Sequence, residues 1–379
     1  MAAQQQLPTF ESQTFTVRTQ LAQVNYGNSS PETFNSSDLL AYLYIEHNLA
    51  LNFSQAANSA AITIADPDFP YSAVGIQSVD SNVYRKIASI SGRNAYLLRQ
   101  EQEQGWQDPI STVSLPGANA TGSVVASTGT IRAATIIPIT PTDADLLGIV
   151  DLQADGLDVT YSHKWLSVDQ IAAKLTLPAG TTLTSVTGSS TAYAGMFKVP
   201  QTKTSNLAYY MSQAHRVSQV AKNIGGLSTI EYKFLKGPNV RRVGLVMLTA
   251  AGYRDVGNTL EVENITLNIG NSDTPISLPP TAWTAFQSSA TRRFETPMFQ
   301  TGAYAVGGTQ GPTAIQSPDG MGVYWYDGTL GLQGRDWIRT GNYPSQSVNL
   351  TVELSTSAPA GAQMEVVLDR YTSPRASAV

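Results

Sequence analysis

Residues 40–53 read LAYLYIEHNLALNF, and from Leu43 to Phe53 apolar side chains fall on alternate positions, His47 excepted. A period of two marks a β-strand that buries one face. Working outward, residues 73–90 (AVGIQSVDSNVYRKIASI) form two shorter strand-like runs split by Asp80, Ser81 and Asn82. Residues 131–140 (IRAATIIPIT), 146–152 (LLGIVDL) and 157–162 (LDVTYS) follow in the same style. The second half then repeats the order. Its runs are 240–250 (VRRVGLVMLTA), 260–269 (LEVENITLNI), 322–326 (GVYWY), Trp337 with Ile338, 348–354 (VNLTVEL) and 364–371 (MEVVLDRY). Short alternating strands with long, turn-rich connections suit antiparallel sandwiches, and no β-α-β rhythm appears. The expected fold is all-β: two tandem jelly-roll sandwiches with a few short helices.

The expected organisation is a polar N-terminal arm (1–37), a first jelly roll (38–204), a connector helix (205–226) and a second jelly roll with a C-terminal tail (227–379). The connector is expected as a helix over 205–223. Leu207, Tyr210, Met211, Ala214, Val217 and Ala221 recur at steps of three or four, and Gly225-Gly226 is a stop signal. A short helix is expected over 167–175, where Ser167 and Gln170 have capping-box spacing. Another begins at Pro279-Pro280-Thr281, with Trp283 and Phe286 a turn apart. Residues 101–130, which include Trp106, and 302–320 are rich in small residues and lack periodicity, so both read as excursions from the sheets.

At 379 residues the chain suits two domains, and an apolar content of 42% is that of a globular protein. Charged residues make up 13%, about half the usual ~25%. Neutral polar surface loses little when a partner covers it, which suits an assembling protein and equally a plain Ser/Thr-rich β protein. A net charge of −5 gives no basic field for nucleic acid. The pairs Arg85-Lys86, Arg241-Arg242 and Arg292-Arg293 read as solvated faces or local salt bridges. With no cysteine, disulfides and thiolate chemistry are excluded. The N-terminus lacks a signal-peptide pattern and no run is apolar enough to span a bilayer, so synthesis in the cytosol without export by an N-terminal signal is expected. The sequons at Asn28, Asn35, Asn52, Asn119, Asn264 and Asn349 read as chance in a Ser/Thr-rich chain.

Little chemistry is visible. The three histidines, His47, His163 and His215, lack metal-ligand spacing and read as structural. Asp66 with Asp68, and Asp143 with Asp145, offer paired carboxylates, but a calcium site needs six or more oxygens and both pairs also read as turns. Asp155-Gly156 and Asp319-Gly320 read as turns. No nucleophile elbow, phosphate loop or dinucleotide fingerprint is present. Tyr324, Trp325, Tyr326 and Trp337 could stack on a sugar, although the core is the first reading for one face of a Tyr-Trp-Tyr strand. No residue is nominated as catalytic, cofactor-binding or metal-ligating, and no cofactor is expected.

The order of segments resembles the double jelly-roll major capsid proteins of tailless icosahedral, membrane-containing bacteriophages, the tectivirus-like group of the adenovirus hexon lineage. The likeness is carried by a Gln-rich arm before the strand at 40–53 and by the Asp-Pro stretch and strand pair at 66–90. It continues with Ile136-Ile137-Pro138-Ile139, Thr142-Asp143-Ala144-Asp145-Leu146, and residues 157–162. In the second half it lies in Pro280-Thr281-Ala282-Trp283, Arg292-Arg293, residues 322–327, Arg335-Asp336, Thr340-Gly341-Asn342 and the final strand. The resemblance implies a structural protein without enzymatic activity or cofactor. It implies pseudo-hexagonal homotrimers that tile an icosahedral shell with neighbouring trimers, penton and minor capsid proteins. The arm would meet an internal membrane or a neighbour, and no specific nucleic acid is bound. The competing readings are a carbohydrate- or receptor-binding two-domain protein (a viral spike or lectin) and, behind it, a β-sandwich glycoside hydrolase.

Overall fold

The computed structural model describes residues 15–20, 23–27, 32–34, 39–81, 85–102, 110–138, 150–151, 159–197, 214–270, 273–283, 300–301, 313–314, 322–327, 338–343 and 348–372. In chain order the main strands of the first half are β1 (Phe15–Gln20), β2 (Glu32–Phe34), β3 (Leu39–Gln55), β4 (Val74–Ser81), β5 (Arg85–Ser91), β6 (Val125–Pro138), β7 (Val159–Trp165) and β8 (Thr182–Phe197). Those of the second are β9 (Ala214–Asn223), β10 (Thr229–Lys233), β11 (Asn239–Leu248), β12 (Val262–Ile269), β13 (Asp273–Leu278), β14 (Val323–Asp327), β15 (Val348–Leu354) and β16 (Gln363–Thr372). Helix α1 (Gly92–Gln102) follows β5, and α2 (Val168–Ala172) follows β7.

Hydrogen bonding orders the first half β1-β8-β3-β6 in one sheet and β2-β7-β4-β5 in the other. The second half gives β9-β16-β11-β14 and β10-β15-β12-β13, the same order with every strand advanced by eight. This is the jelly-roll arrangement, made twice. The two copies also share a sheet. β5 pairs with β9 in parallel (Ala88 opposite Val217, Ser89 opposite Ser218), so β2-β7-β4-β5 runs into β9-β16-β11-β14 without a break.

The second half has one continuous core, which includes Val243, Leu245, Trp283, Tyr324, Val352, Met364 and Val366. Two smaller clusters in the first half, among the described residues, lie along β3. Leu43, Ile45, Val79, Ile137 and Tyr161 form one, while Leu49, Leu51, Phe53, Phe69 and Trp165 belong to the other. On β3 the inward residue between these clusters is His47.

Three sequence expectations change. Residues 15–20 and 32–34, read as part of an arm, are the first two strands: Phe15 pairs with Phe197, and Thr33 with Thr160. The alternation there is weak because both strands lie at sheet edges, where one partner strand suffices. The helix expected at 205–223 is a strand where it is described. β9 pairs with β16 from Ala214 opposite Thr372 to Asn223 opposite Gln363. Val217 and Val220 favour a strand, and a long partner overrides a helical repeat. Gly225-Gly226 forms the connection to β10. The stretch at 101–130 is less of an excursion than expected, since Gly92–Gln102 is helical and β6 starts at Val125, with Thr112–Ser114 paired on it. Trp106, Phe286 and most of 302–320 lie outside the described residues.

The capping box is present as expected. The Gln170 N–H donates to Ser167 Oγ at 3.3 Å, and the Ser167 N–H donates to Gln170 Oε1 at 3.0 Å. A helical turn begins at Pro280, where the Trp283 N–H donates to the Pro279 carbonyl at 2.9 Å. Among the described residues no helix is long and apolar enough to cross a membrane.

β8 carried little apolar signal, yet it lies between β1 and β3. Gly188 makes this close pairing possible: its φ is +125°, and a Cβ there would meet the Asn48 carbonyl oxygen at 2.1 Å. Gly188→Ala is therefore expected to cost about 1–3 kcal/mol, read as a lower urea midpoint. A midpoint equal to the parent's would mean the strand can shift freely at that point.

Candidate functional site: the polar seam between the two halves

β11 and β16 are apolar on both faces. Val243, Leu245 and Met247 point into the second core, while Val246 and Leu248 point the other way. On β16, Met364, Val366 and Leu368 face the core and Val367 faces outward. That outward face is covered by the first half, through Ile90 of β5 and Ala95, Leu97 and Leu98 of α1. Two-sided burial explains why VGLVML and MEVVL read as runs. Trp325 lies over Gly244, where a Cβ would meet its ring at 2.4 Å.

Around this apolar contact runs a ring of buried charge. Arg254, after β11, donates from Nε to Asp68 Oδ1 at 3.0 Å and Oδ2 at 3.2 Å, and its Nη2 lies 2.9 Å from Oδ1. Their side chains are 0% and 2% exposed. Arg93 of α1 donates from Nη2 to Glu365 Oε2 of β16 at 2.7 Å, and from Nη1 to the Gly252 carbonyl at 3.2 Å. Asn94 Nδ2 donates to the same Glu365 oxygen at 2.7 Å and to Gln219 Oε1 of β9 at 2.9 Å. Lys174 Nζ lies 2.8 Å from Asp66 Oδ2 and donates to the Gly252 carbonyl at 3.3 Å. The Tyr253 hydroxyl donates to the Ala173 carbonyl. Burial alone would lower the Arg93 guanidinium, but Glu365, Asp68 and Asp66 outweigh it and hold its pKa raised.

The seam takes each buried charge to an opposite one, the condition under which buried ions are tolerated. Within it, ion pairs and hydrogen bonds join residues of the first half to residues of the second. Asp66 and Asp68, weighed as calcium ligands, are instead engaged by Lys174 and Arg254. Among the described residues no cluster of three metal-ligating side chains occurs.

Other candidates fall elsewhere. Tyr324 and Trp325 are both buried, on opposite faces of β14, so neither offers a surface for a sugar. Tyr326 packs against the second core. Arg241 and Arg242 are buried, so of the two readings offered for this pair the salt bridge is the one found at Arg242, whose Nη1 donates to Asp369 Oδ2 at 3.3 Å. Asn119 is buried, and its Nδ2 donates to the carbonyls of Ala56 (2.8 Å) and Ser123 (2.9 Å), an arrangement closed to modification. Asn52, Asn264 and Asn349 sit on strands with side-chain hydrogen bonds to Ser185, Ser277 and Asn268. Arg292-Arg293, Arg335-Asp336, Trp337, Asp143, Asp145, Asp155, Asp319, Asn28 and Asn35 lie outside the described residues.

His47 and His163 are buried inside the first half, and His215 lies on β9. Sequence reading missed Arg93, Lys174, Gln219, Arg254 and Glu365. The available signal was an isolated charge inside an apolar strand, as in Glu365 within MEVVL.

No protein-family model matches the chain, and neither does any curated protein. Solved structures do match. The major capsid protein of Sulfolobus turreted icosahedral virus superposes with a TM-score of 0.63 at 13% identity, over 97% of this chain and 99% of that one. The capsid of the virus PBCV-1 gives 0.51 at 9%, over 97% of each chain. The Sputnik virophage structure gives 0.50 at 11%, over 96% of this chain and 86% of that one. At such identities the likeness is one of fold, and the chain has the double jelly-roll architecture of these viral capsid proteins.

Proposed function

We propose that the chain is a major capsid protein, a structural and non-enzymatic component of a virion shell. The observation that carries this reading is the doubled strand order. Two equivalent eight-strand units joined through one sheet make an elongated block, and three such blocks around an axis present six similar edges. Such a homotrimer has a pseudo-hexagonal outline and tiles an icosahedral shell through repeated symmetric contacts. The buried charges of the seam keep the angle between the units constant from copy to copy, which repeated contacts require.

The partners on this reading are two further copies in the trimer, then neighbouring trimers, with penton and minor capsid proteins at special positions. The tectivirus-like group and an internal membrane beneath the shell belong to the same proposal. The proposed units run from the strand Phe15–Gln20 to the strand Thr182–Phe197, and from Ala214–Asn223 to Gln363–Thr372. Of the aromatic residues behind the lectin reading, Tyr324 and Trp325 have buried rings, Tyr326 packs against the second core and Trp337 lies outside the described residues.

Light scattering during size exclusion tests the assembly. The expected result is a dilution-resistant particle of three times 40.5 kDa. A clean monomer would overturn the pre-formed trimer.

A further inference from the structure

The first half's core is interrupted by a layer of polar side chains drawn from both of its sheets. β3 supplies His47, β6 Thr135 and β8 Ser190 from one side; β4 supplies Gln77 and β7 supplies Tyr161, His163 and Trp165 from the other. His47 Nε2 lies 3.0 Å from Thr135 Oγ1 and 3.4 Å from Gln77 Nε2, so this nitrogen links the sheets as an acceptor. His163 Nδ1 lies 2.7 Å from the Tyr161 hydroxyl, and its Nε2 lies 3.0 Å from Ser190 Oγ across the sandwich. The rings are 6.3 Å apart, and each meets the Trp165 ring edge-on, at 4.9 and 5.1 Å. The layer lies between the two apolar clusters of this half, and the second half has one uninterrupted core.

We propose that this two-histidine layer is an acid-sensitive joint, which loosens the first jelly roll in mild acid while the second stays closed. The hydrogen bonds described use neutral imidazoles. A proton added to His47 Nε2 removes the acceptor that links β3 to Gln77, and two imidazolium rings in one apolar space repel. Among the described residues the groups facing the rings are Gln77, Thr135, Tyr161, Trp165 and Ser190, none of which supplies a negative charge at these pH values. Burial is the main cause that holds His47 down to about 3, with the His163 charge second, and burial holds His163 down to about 4.

The sign follows from linkage. Above about pH 6.5 both rings are neutral whether the layer is closed or open, so it is fully stable there. As pH falls below 6.5 the opened segments bind two protons that the closed layer refuses until pH approaches 4 and then 3. Between pH 7 and pH 4.5 the open population of this region is expected to rise on the order of 10³-fold. The inference concerns the chain itself and holds whatever it assembles into.

Hydrogen exchange of the full-length protein at pH 7 and pH 4.5, corrected for intrinsic rates, tests it. The expected result is lost protection in β3, β4, β7 and β8, with β10, β12 and β15 unchanged. Equal loss in both halves, or none in the first, would overturn it. His47→Gln with His163→Gln is expected to abolish the difference between the two pH values. If that variant loosens in acid as the parent does, the histidines are not the cause. If it does not fold, the localisation in the parent protein decides.

Discussion

Arg254→Met is expected to lower stability by about 3–5 kcal/mol, the largest loss from any single change in the seam. The reason lies less in the lost attraction than in what is left behind. Asp68 is buried with Arg254 as its close ion partner, and removing the guanidinium leaves that buried carboxyl group without it. Arg93 feels the Asp68 charge but is committed to Glu365 at 2.7 Å and to the Gly252 carbonyl. Removing both charges avoids this cost, so Asp68→Leu with Arg254→Met should recover most of the loss. Urea unfolding of the parent, both single variants and the double variant gives the coupling directly. A loss below about 1 kcal/mol for Arg254→Met would mean that water reaches Asp68 and that the seam is not sealed.

Trp283→Ala carries an expected loss of similar size, about 3–5 kcal/mol, by a different route. Trp283 is 1% exposed and packs in the core of the second half. Its indole Nε1–H donates to the Trp325 carbonyl at 3.1 Å, tying the turn at Pro280 to β14. Truncation opens a large cavity and also leaves that carbonyl without its indole donor. Trp283→Phe fills most of the volume without the donor, so it should recover more than half of the loss. Thermal melts of the three proteins separate packing from hydrogen bonding. A Phe variant as unstable as the Ala variant would shift the weight to the hydrogen bond.

These two changes also mark what was legible beforehand. Trp283 was visible in sequence as an aromatic on a short helical turn after Pro280. Arg254 was not, because a lone arginine in a turn-rich stretch (AGYRDVG) carries no sign of its partner 186 positions away. The same contrast holds for the strands. β3 and β15 alternate cleanly because each has one wet face and one dry one. β8 is mostly Ser, Thr, Ala and Gly, and its place beside β3 rests on the close approach that Gly188 allows. β9 misled for the opposite reason: its apolar residues fit a helical repeat, and the long edge of β16 drew it into a sheet.

By itself, then, the amino-acid order determined an all-β chain made of two similar halves, because a period of two follows from local backbone geometry and recurs wherever one face is buried. The same order ruled out disulfide and thiolate chemistry through its lack of cysteine. The tertiary structure alone decided the parallel joint between β5 and β9, the charged seam and the histidine layer. Each of these depends on groups far apart in sequence, whose pairing becomes favourable only once burial removes water and leaves a charge or a hydrogen-bonding nitrogen no other partner.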